Sequence, residues 1–327
     1  MNIKSLLLGS ATAFAVVSGA QAADAIVAAA PEPMEYVKVC DAFGTGYFYI
    51  PGTETCLKIS GGVRYQLQYS SIGGVSTANP AYRWSSYNGD TRLFLDAEAR
   101  NSTEIGTVYS WLEIRGSANG TYSALFKAGI DAGAAGFEVG YGDSYWSQWT
   151  GFGGYGNNNG DYGYVGSSYA AFYGKAGNVS YFASVDDFTN TAGKTAGLNG
   201  GVKATFGTVG VGAAINYDIA AKSFGAKGFV EAKFDPITLK VQGIYASNAS
   251  NAYAPAKGFT LYTAAKAQLT SNLAAYARYS YEFTPKTYQV AGGVEWNVAN
   301  GFMVRPEVGY TSSNKAVFGN VRFQRSF

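Results

Sequence analysis

The sequence contains no histidine. Without an imidazole no Ser-His-Asp triad can be built, and the commonest metal ligand is missing. Cysteine occurs only at Cys40 and Cys56, and no C-x-x-C spacing is present. That removes a thioredoxin-type redox pair. Charged residues make up 14% of the chain, and 24 basic against 22 acidic side chains leave a net charge of +2. So even a balance gives no support to nucleic acid as a partner. Beyond the first residues, no stretch approaches the roughly 20 apolar residues that a transmembrane helix needs. Glycine-rich runs such as Gly151-Phe-Gly-Gly154 lack the Lys-Ser/Thr of a phosphate loop, and no nucleotide or haem motif occurs. The adjacent carboxylates Asp186 and Asp187 could do acid–base work, but they sit where a loop is expected to begin. No enzyme and no cofactor is expected.

What is abundant is glycine (43), tyrosine (26) and phenylalanine (20). The most informative stretch is the C-terminal one, Val317-Phe-Gly-Asn-Val-Arg-Phe-Gln-Arg-Ser-Phe327. Alternate side chains of a strand share a face. Val317, Gly319, Val321, Phe323 and Phe327 therefore fall on one side, and Phe318, Asn320, Arg322, Gln324 and Ser326 on the other. An apolar outer face, a polar inner face and a terminal Phe suit the last strand of an outer-membrane barrel. Arg325 breaks the apolar face near its end, where so long a side chain can snorkel to the membrane surface. The last strand of a soluble sandwich alternates too, so the rest of the chain must decide.

The beginning reads as an export signal. Lys4 supplies a basic start, Leu6–Leu8 and Ala11–Val17 an apolar core, and Ala20-Gln21-Ala22 an A-x-A cleavage site. The mature protein is expected to begin at Ala23. An exported chain meets an oxidising compartment, which favours a disulfide between Cys40 and Cys56. A metal site is the rival, and it lacks further Cys or His ligands.

From Leu57 onward, alternation recurs sixteen times. In the first strand, Leu57, Ile59, Val63, Tyr65, Leu67 and Tyr69 oppose Lys58, Ser60, Arg64, Gln66 and Gln68. Further strands are expected near 90–100, 104–117, 122–133, 136–142, 169–176, 178–187, 197–207, 208–219, 224–234, 237–248, 258–269, 272–283, 287–298, 302–313 and 315–327. Most match the ~9–11 residues of a tilted membrane-crossing strand. Every second connection is tight, among them Asn101-Ser-Thr103, Ala176-Gly-Asn178, Asp235-Pro236 and Ala299-Asn-Gly301. Brief connections are the periplasmic habit of bacterial barrels. In lipid only closure pairs every backbone group, so the fold class expected is all-β: a transmembrane antiparallel β-barrel, sixteen strands in a closed cylinder. Sixteen strands leave a water-filled lumen. The domain plan is 1–22 signal peptide, 23–56 N-terminal segment with the cysteine pair, and 57–327 barrel. Tyr65, Tyr69, Tyr279, Tyr281, Phe283, Trp296, Phe302 and Tyr310 are candidates for interfacial girdles.

The run Val37-Lys-Val-Cys40-Asp-Ala-Phe-Gly-Thr-Gly-Tyr-Phe-Tyr-Ile-Pro-Gly-Thr-Glu-Thr-Cys56-Leu-Lys58 and the tail Val321-Arg-Phe-Gln-Arg-Ser-Phe327 resemble the general porins of alphaproteobacteria. The resemblance implies an outer-membrane location, a homotrimer within outer-membrane lipid, and passive diffusion of small hydrophilic solutes and ions. It also implies a third extracellular loop folded into the lumen.

Here that loop runs from Asp143 to Gly166 and is rich in glycine and aromatic residues. Loops of this length in a compact domain serve a function or are disordered. An inward constriction is favoured over an exposed surface loop. Charge selectivity would come from loop acids facing wall bases. The loop offers only Asp143 and Asp161, fewer acids than the family pattern. On the wall, strand parity turns Arg64, Arg92, Arg100, Arg115, Lys203, Lys240, Arg278, Arg305 and Arg322 inward. The acids Asp96, Glu98, Glu113, Glu231, Glu282, Glu295 and Glu307 accompany them. An Arg facing lipid at the midplane would cost ~2–4 kcal/mol. The constriction is expected at Asp143, Asp161, Arg64, Arg92, Arg100 and Arg115, although wall charges can also serve simply to solvate the lumen. The competing functional reading is a structural or adhesive barrel with a plugged lumen. A soluble exported sandwich of lectin type comes third.

Overall fold

The computed structural model describes residues 37–71, 87–118, 120–149, 155–157, 166–188, 195–253 and 257–327. The expected signal peptide and the first residues of the N-terminal segment lie outside the described residues. So does Asp161.

Strand β1 is Tyr47–Tyr49, β2 Cys56–Ser70, β3 Tyr87–Thr103, β4 Gly106–Ser117, β5 Tyr122–Asp131 and β6 Ala135–Asp143. A short helix, α1, follows at Tyr145–Trp149. Then come β7 Gly166–Ala176, β8 Val179–Asp187, β9 Ala196–Phe206, β10 Val209–Asp218, β11 Ser223–Phe234 and β12 Ile237–Ala246. The series ends with β13 Gly258–Thr270, β14 Leu273–Glu282, β15 Thr287–Ala299, β16 Phe302–Thr311 and β17 Ala316–Ser326. Each of β2 to β17 pairs antiparallel with its neighbours in sequence, and β17 pairs with β2. These sixteen strands make a closed barrel. None of the helices among the described residues is long and apolar enough to cross a membrane.

Closure joins the two ends of the barrel sequence through the tail. Asn320 lies opposite Gln68, Arg322 opposite Gln66 and Gln324 opposite Arg64. The backbone of Phe327 exchanges two hydrogen bonds with Gly61, at 3.0 and 3.1 Å. Beyond that point β2 would present an open edge. β1, a strand that alternation does not reveal in the sequence, covers it by pairing Tyr47, Phe48 and Tyr49 with Lys58, Leu57 and Cys56. Unpaired edge groups are costly, which accounts for so short a strand in this place. The Cys40–Cys56 disulfide, with Cα atoms 5.9 Å apart, ties the same segment to the start of β2, and both cysteines are buried.

The two faces separate as alternation requires. On β12, Val241 is 45% exposed and Gln242 1%. On β16, Val308 is 61% exposed and Glu307 4%. Most of the larger apolar side chains thus face outward, with exceptions such as Phe182 and Ile244, and the buried polar ones face inward against other protein. Outward rings meet across strands, as in Phe224–Tyr245, Phe259–Phe283 and Tyr288–Tyr310, with centroids 5.7, 5.3 and 5.9 Å apart. Arg325 lies on this outer face, and its guanidinium reaches the Asn300 carbonyl in the turn between β15 and β16 at 3.5 Å.

One tight turn is displaced from its expected place. Asn101, Ser102 and Thr103 do not turn. They continue β3 opposite Val108, Thr107 and Gly106, and the chain reverses at Glu104–Ile105. The Thr103 hydroxyl donates to the Gly106 carbonyl at 2.6 Å. Local turn preference lost here to pairing with the next strand.

Candidate functional site

The site lies on the inner face. Its polar side chains are set by strand register, and the connection after β6 supplies the rest. This connection begins at Asp143, whose carbonyl accepts from Gln148 Nε2. Ser144 caps the helix, its hydroxyl accepting from the Ser147 backbone N–H at 3.3 Å. The helix α1 is held to strands by its two tryptophans. Trp149 Nε1 donates to the Val202 carbonyl at 3.2 Å, and Lys203 Nζ stands 4.4 Å from the Trp149 ring centroid. Lys227 Nζ donates to the Trp146 carbonyl and lies 4.5 Å from that ring. Each lysine therefore combines a long apolar stem with a cation over an indole face.

Further along the connection, Tyr155, Gly156 and Asn157 meet β13, β14, β16 and β17. Lys266 Nζ lies 5.7 Å from the Tyr155 ring. Asn157 uses backbone and side chain together. Its N–H donates to Glu307 Oε2 at 3.0 Å, its Nδ2 donates to the Arg305 carbonyl at 2.8 Å and to Asn320 Oδ1, and its carbonyl accepts from Arg322 Nη2 at 2.9 Å. Glu307 is itself fixed by Arg278 at 3.2 Å, by the Tyr276 hydroxyl at 3.1 Å and by Asn320 Nδ2 at 3.3 Å. Gly156 has φ +105°, and a Cβ there would stand 2.9 Å from Tyr276 Cε2 and closer still to Glu307 Oε2. Only glycine fits this backbone and this approach.

Four arginines gather beside this contact. Arg305 lies opposite Arg322, and Arg64 opposite Arg92. Arg322 interacts electrostatically with Arg64, Arg305 and Arg92, and donates to Gln66 Oε1 at 2.7 Å. Arg305 also pairs with Glu295, which takes a second cation from Lys266 at 3.0 Å. Arg64 and Arg92, both expected at the constriction, thus stand together. Arg115 lies opposite Phe94, two residues along β3 from Arg92, and pairs with Glu113. Arg100 stands apart. It is eight residues along β3 from Arg92, roughly 26 Å at strand rise. There it pairs with Glu98 and donates its Nε–H to the Tyr47 hydroxyl at 3.1 Å. Burial, then the Glu98 carboxylate, holds the Tyr47 phenol above its ordinary range. Asp143 borders a cavity of about 440 Å³ with Glu98, Arg100, Lys127 and Glu138.

Sequence reasoning passed over Asn157, Lys227 and Tyr253, and it considered Asp186 only for acid–base work. Asp186 stands next to last in β8, at the approach to the loop. It is fully buried inside β8, where its carboxylate accepts from Tyr253, Ser167 and Asn199. Burial and this carboxylate keep the Tyr253 phenol protonated, above its ordinary range. No signal in the sequence marks such partners, because each pair is far apart in the chain.

Residues 24–326 match a family described as a porin subfamily. Over its whole length the chain is 34% identical to Porin Omp2b of Brucella canis, of which it covers 100%. It is also 34% identical to the putative outer membrane protein y4fJ of Sinorhizobium fredii, covering 99% of that protein. Among solved structures, a triple mutant of Rhodopseudomonas blastica porin superposes with a TM-score of 0.67 at 14% identity, over 83% of this chain and 100% of the other. That likeness is one of fold.

Proposed function

The chain belongs to the porin family, and on that premise we propose which residues narrow its pore. It is an outer-membrane porin, a barrel whose water-filled interior lets small hydrophilic solutes and ions diffuse passively. The proposal is that the connection from Asp143 to Gly166 folds into this lumen as its constriction, and that the arginines Arg64, Arg92, Arg305 and Arg322 form the basic side of the opening. Arg115 borders them, Asp143 and Asp161 supply acid, and Arg100 acts nearer the periplasmic mouth.

One observation carries this reading. The same connection is bonded through Trp149 and Lys227 to β9 and β11, and through Asn157 to β16 and β17, with β12–β15 between. The wall side chains it meets, Lys203 and Lys227 on one side and Glu307 and Arg322 on the other, belong to the inner-facing set, which supports a path inside the cylinder. Charges fixed at the narrowest point bias which ions pass.

Porins are in general not enzymes, and we read this chain likewise, consistent with its lack of histidine. The homotrimer and the surrounding outer-membrane lipid belong to the same proposal, supported by family membership. The test is planar-bilayer recording in a salt gradient. Stable conductance steps are expected, and Arg322→Gln should move the reversal potential toward cation preference. A well-inserted but silent protein would remove the channel; an unmoved reversal potential would remove Arg322 from the opening.

A further inference from the structure

A second extracellular connection, between β12 and β13, reaches the same helix. Three strands present Asp186, Gly197 and Asp218 side by side in register on their inner faces. Gly197 leaves the centre of this row open, and the Tyr253 ring occupies the opening. A Cβ on Gly197 would stand 2.6 Å from Tyr253 Cε2 and Cζ, inside any tolerable contact. The flanking carboxylates fasten what the gap admits. Tyr253 Oη donates to Asp186 Oδ2 at 2.7 Å, and the Ala252 N–H donates to Asp218 Oδ2 at 2.8 Å. Asn251 Nδ2 adds bonds to Asn216 Oδ1 and Ser223 Oγ, both at 3.1 Å.

Two rows further along the same strands lie Phe182, Gly201, Ala214 and Lys227, also in register, and there α1 is seated. Tyr253 bridges the two levels. Its ring stands edge-on to Trp146 with centroids 5.9 Å apart and to Phe188 at 5.1 Å, and Trp146 and Tyr253 are both fully buried. A five-residue helix has no stability of its own. The wall holds α1 from one side through Val202 and Lys227, while Tyr253 covers it from another.

We propose that Tyr253 is a positioning residue of the pore: seated in the gap at Gly197, it clamps Trp146 and α1 in place, so that two connections and not one set the constriction. This rests on reading the Asp143–Gly166 connection as the constriction. Tyr253 acts through α1 and touches no passing solute. Phenylalanine at this position would keep the ring seated and lose the hydroxyl's bonds to Asp186 and Asn199.

The test uses the full-length protein in planar bilayers, with heat-modifiable gel migration as the check that the barrel has formed. Tyr253→Ala and Gly197→Ala should each lose the single steady conductance level, giving a higher mean and a noisier open state. Gly197→Ala carries an ordinary backbone angle and acts only by evicting the ring. The double variant should therefore match Tyr253→Ala alone, a non-additivity that mere loss of packing at two sites would not produce. Tyr253→Phe should keep the height of the steady level. A Tyr253→Ala channel as steady as the parent overturns the proposal, as does a Gly197→Ala effect that persists in the double variant. Gly156→Ala serves as the reference. If it alters conductance while Tyr253→Ala does not, only the clamp falls. If neither does, the constriction reading itself falls.

Discussion

The contact at Gly156 and Asn157 allows the constriction to be opened with a single methyl group. In Gly156→Ala the new Cβ would meet the Tyr276 ring at 2.9 Å and the Glu307 carboxylate at shorter range. Glu307 cannot swing aside freely, because Arg278, Tyr276 and Asn320 all hold it. The backbone angle of +105° adds on the order of 1–3 kcal/mol of strain for any residue with a side chain. The tip must then leave its seat and give up the bonds of Asn157 to Glu307 and Arg322. Both partners are charged, and such bonds contribute about 1.5–3 kcal/mol each. Losing two at the lower figure weakens docking by about 3 kcal/mol, or roughly a hundredfold in the ratio of docked to undocked tip. Single-channel recording should show a higher mean conductance and more current noise. Gel migration of the folded barrel should not change, since no strand pairing is touched. An unaltered, quiet conductance level in a correctly folded variant would refute the reasoning, because it would mean that the tip's seat has no bearing on the pore.

Three other outcomes are expected. Replacing Cys40 and Cys56 by serine opens a loop of sequence separation 16. In the chain-entropy picture this costs the N-terminal segment about 3 kcal/mol, read as faster proteolysis between residues 41 and 55. The unreduced, denatured parent should expose no free thiol; labelling by a thiol reagent would refute the pairing. On the outer face, Leu67→Arg should impair folding into lipid vesicles by ~2–4 kcal/mol if β2 crosses the bilayer at that residue, whereas Gln68→Arg on the half-buried inner face should not. Equal penalties would reverse the assignment of faces.

Much of the barrel was legible because the signal for a half-buried strand has a period of two and is local. Val241 and Gln242, or Glu307 and Val308, declare their faces within three residues of sequence. The sixteen strands and most turns followed from the same pattern. Where it failed, long-range pairing was the cause. β3 runs on to Thr103 because β4 offers partners there, and Tyr47–Tyr49 forms a strand because β2 would otherwise end in an open edge. Asp186, which reads as the approach to a loop, is buried because Tyr253 arrives from a connection sixty-seven positions later.

By itself, then, the sequence determined which side of each strand meets lipid, since adjacent side chains must point to opposite faces of a pleated backbone. It also settled that the strands had to close, because a free edge has no hydrogen-bond partner in a bilayer. Only the tertiary structure decided which inward charges share a level. Arg64 and Arg92 meet Arg305 and Arg322 because closure lays the last strand beside the first in one particular register, while Arg100, on the same strand as Arg92, sits far below. Stagger around a closed sheet is a property of the whole ring, and no local stretch of residues encodes it.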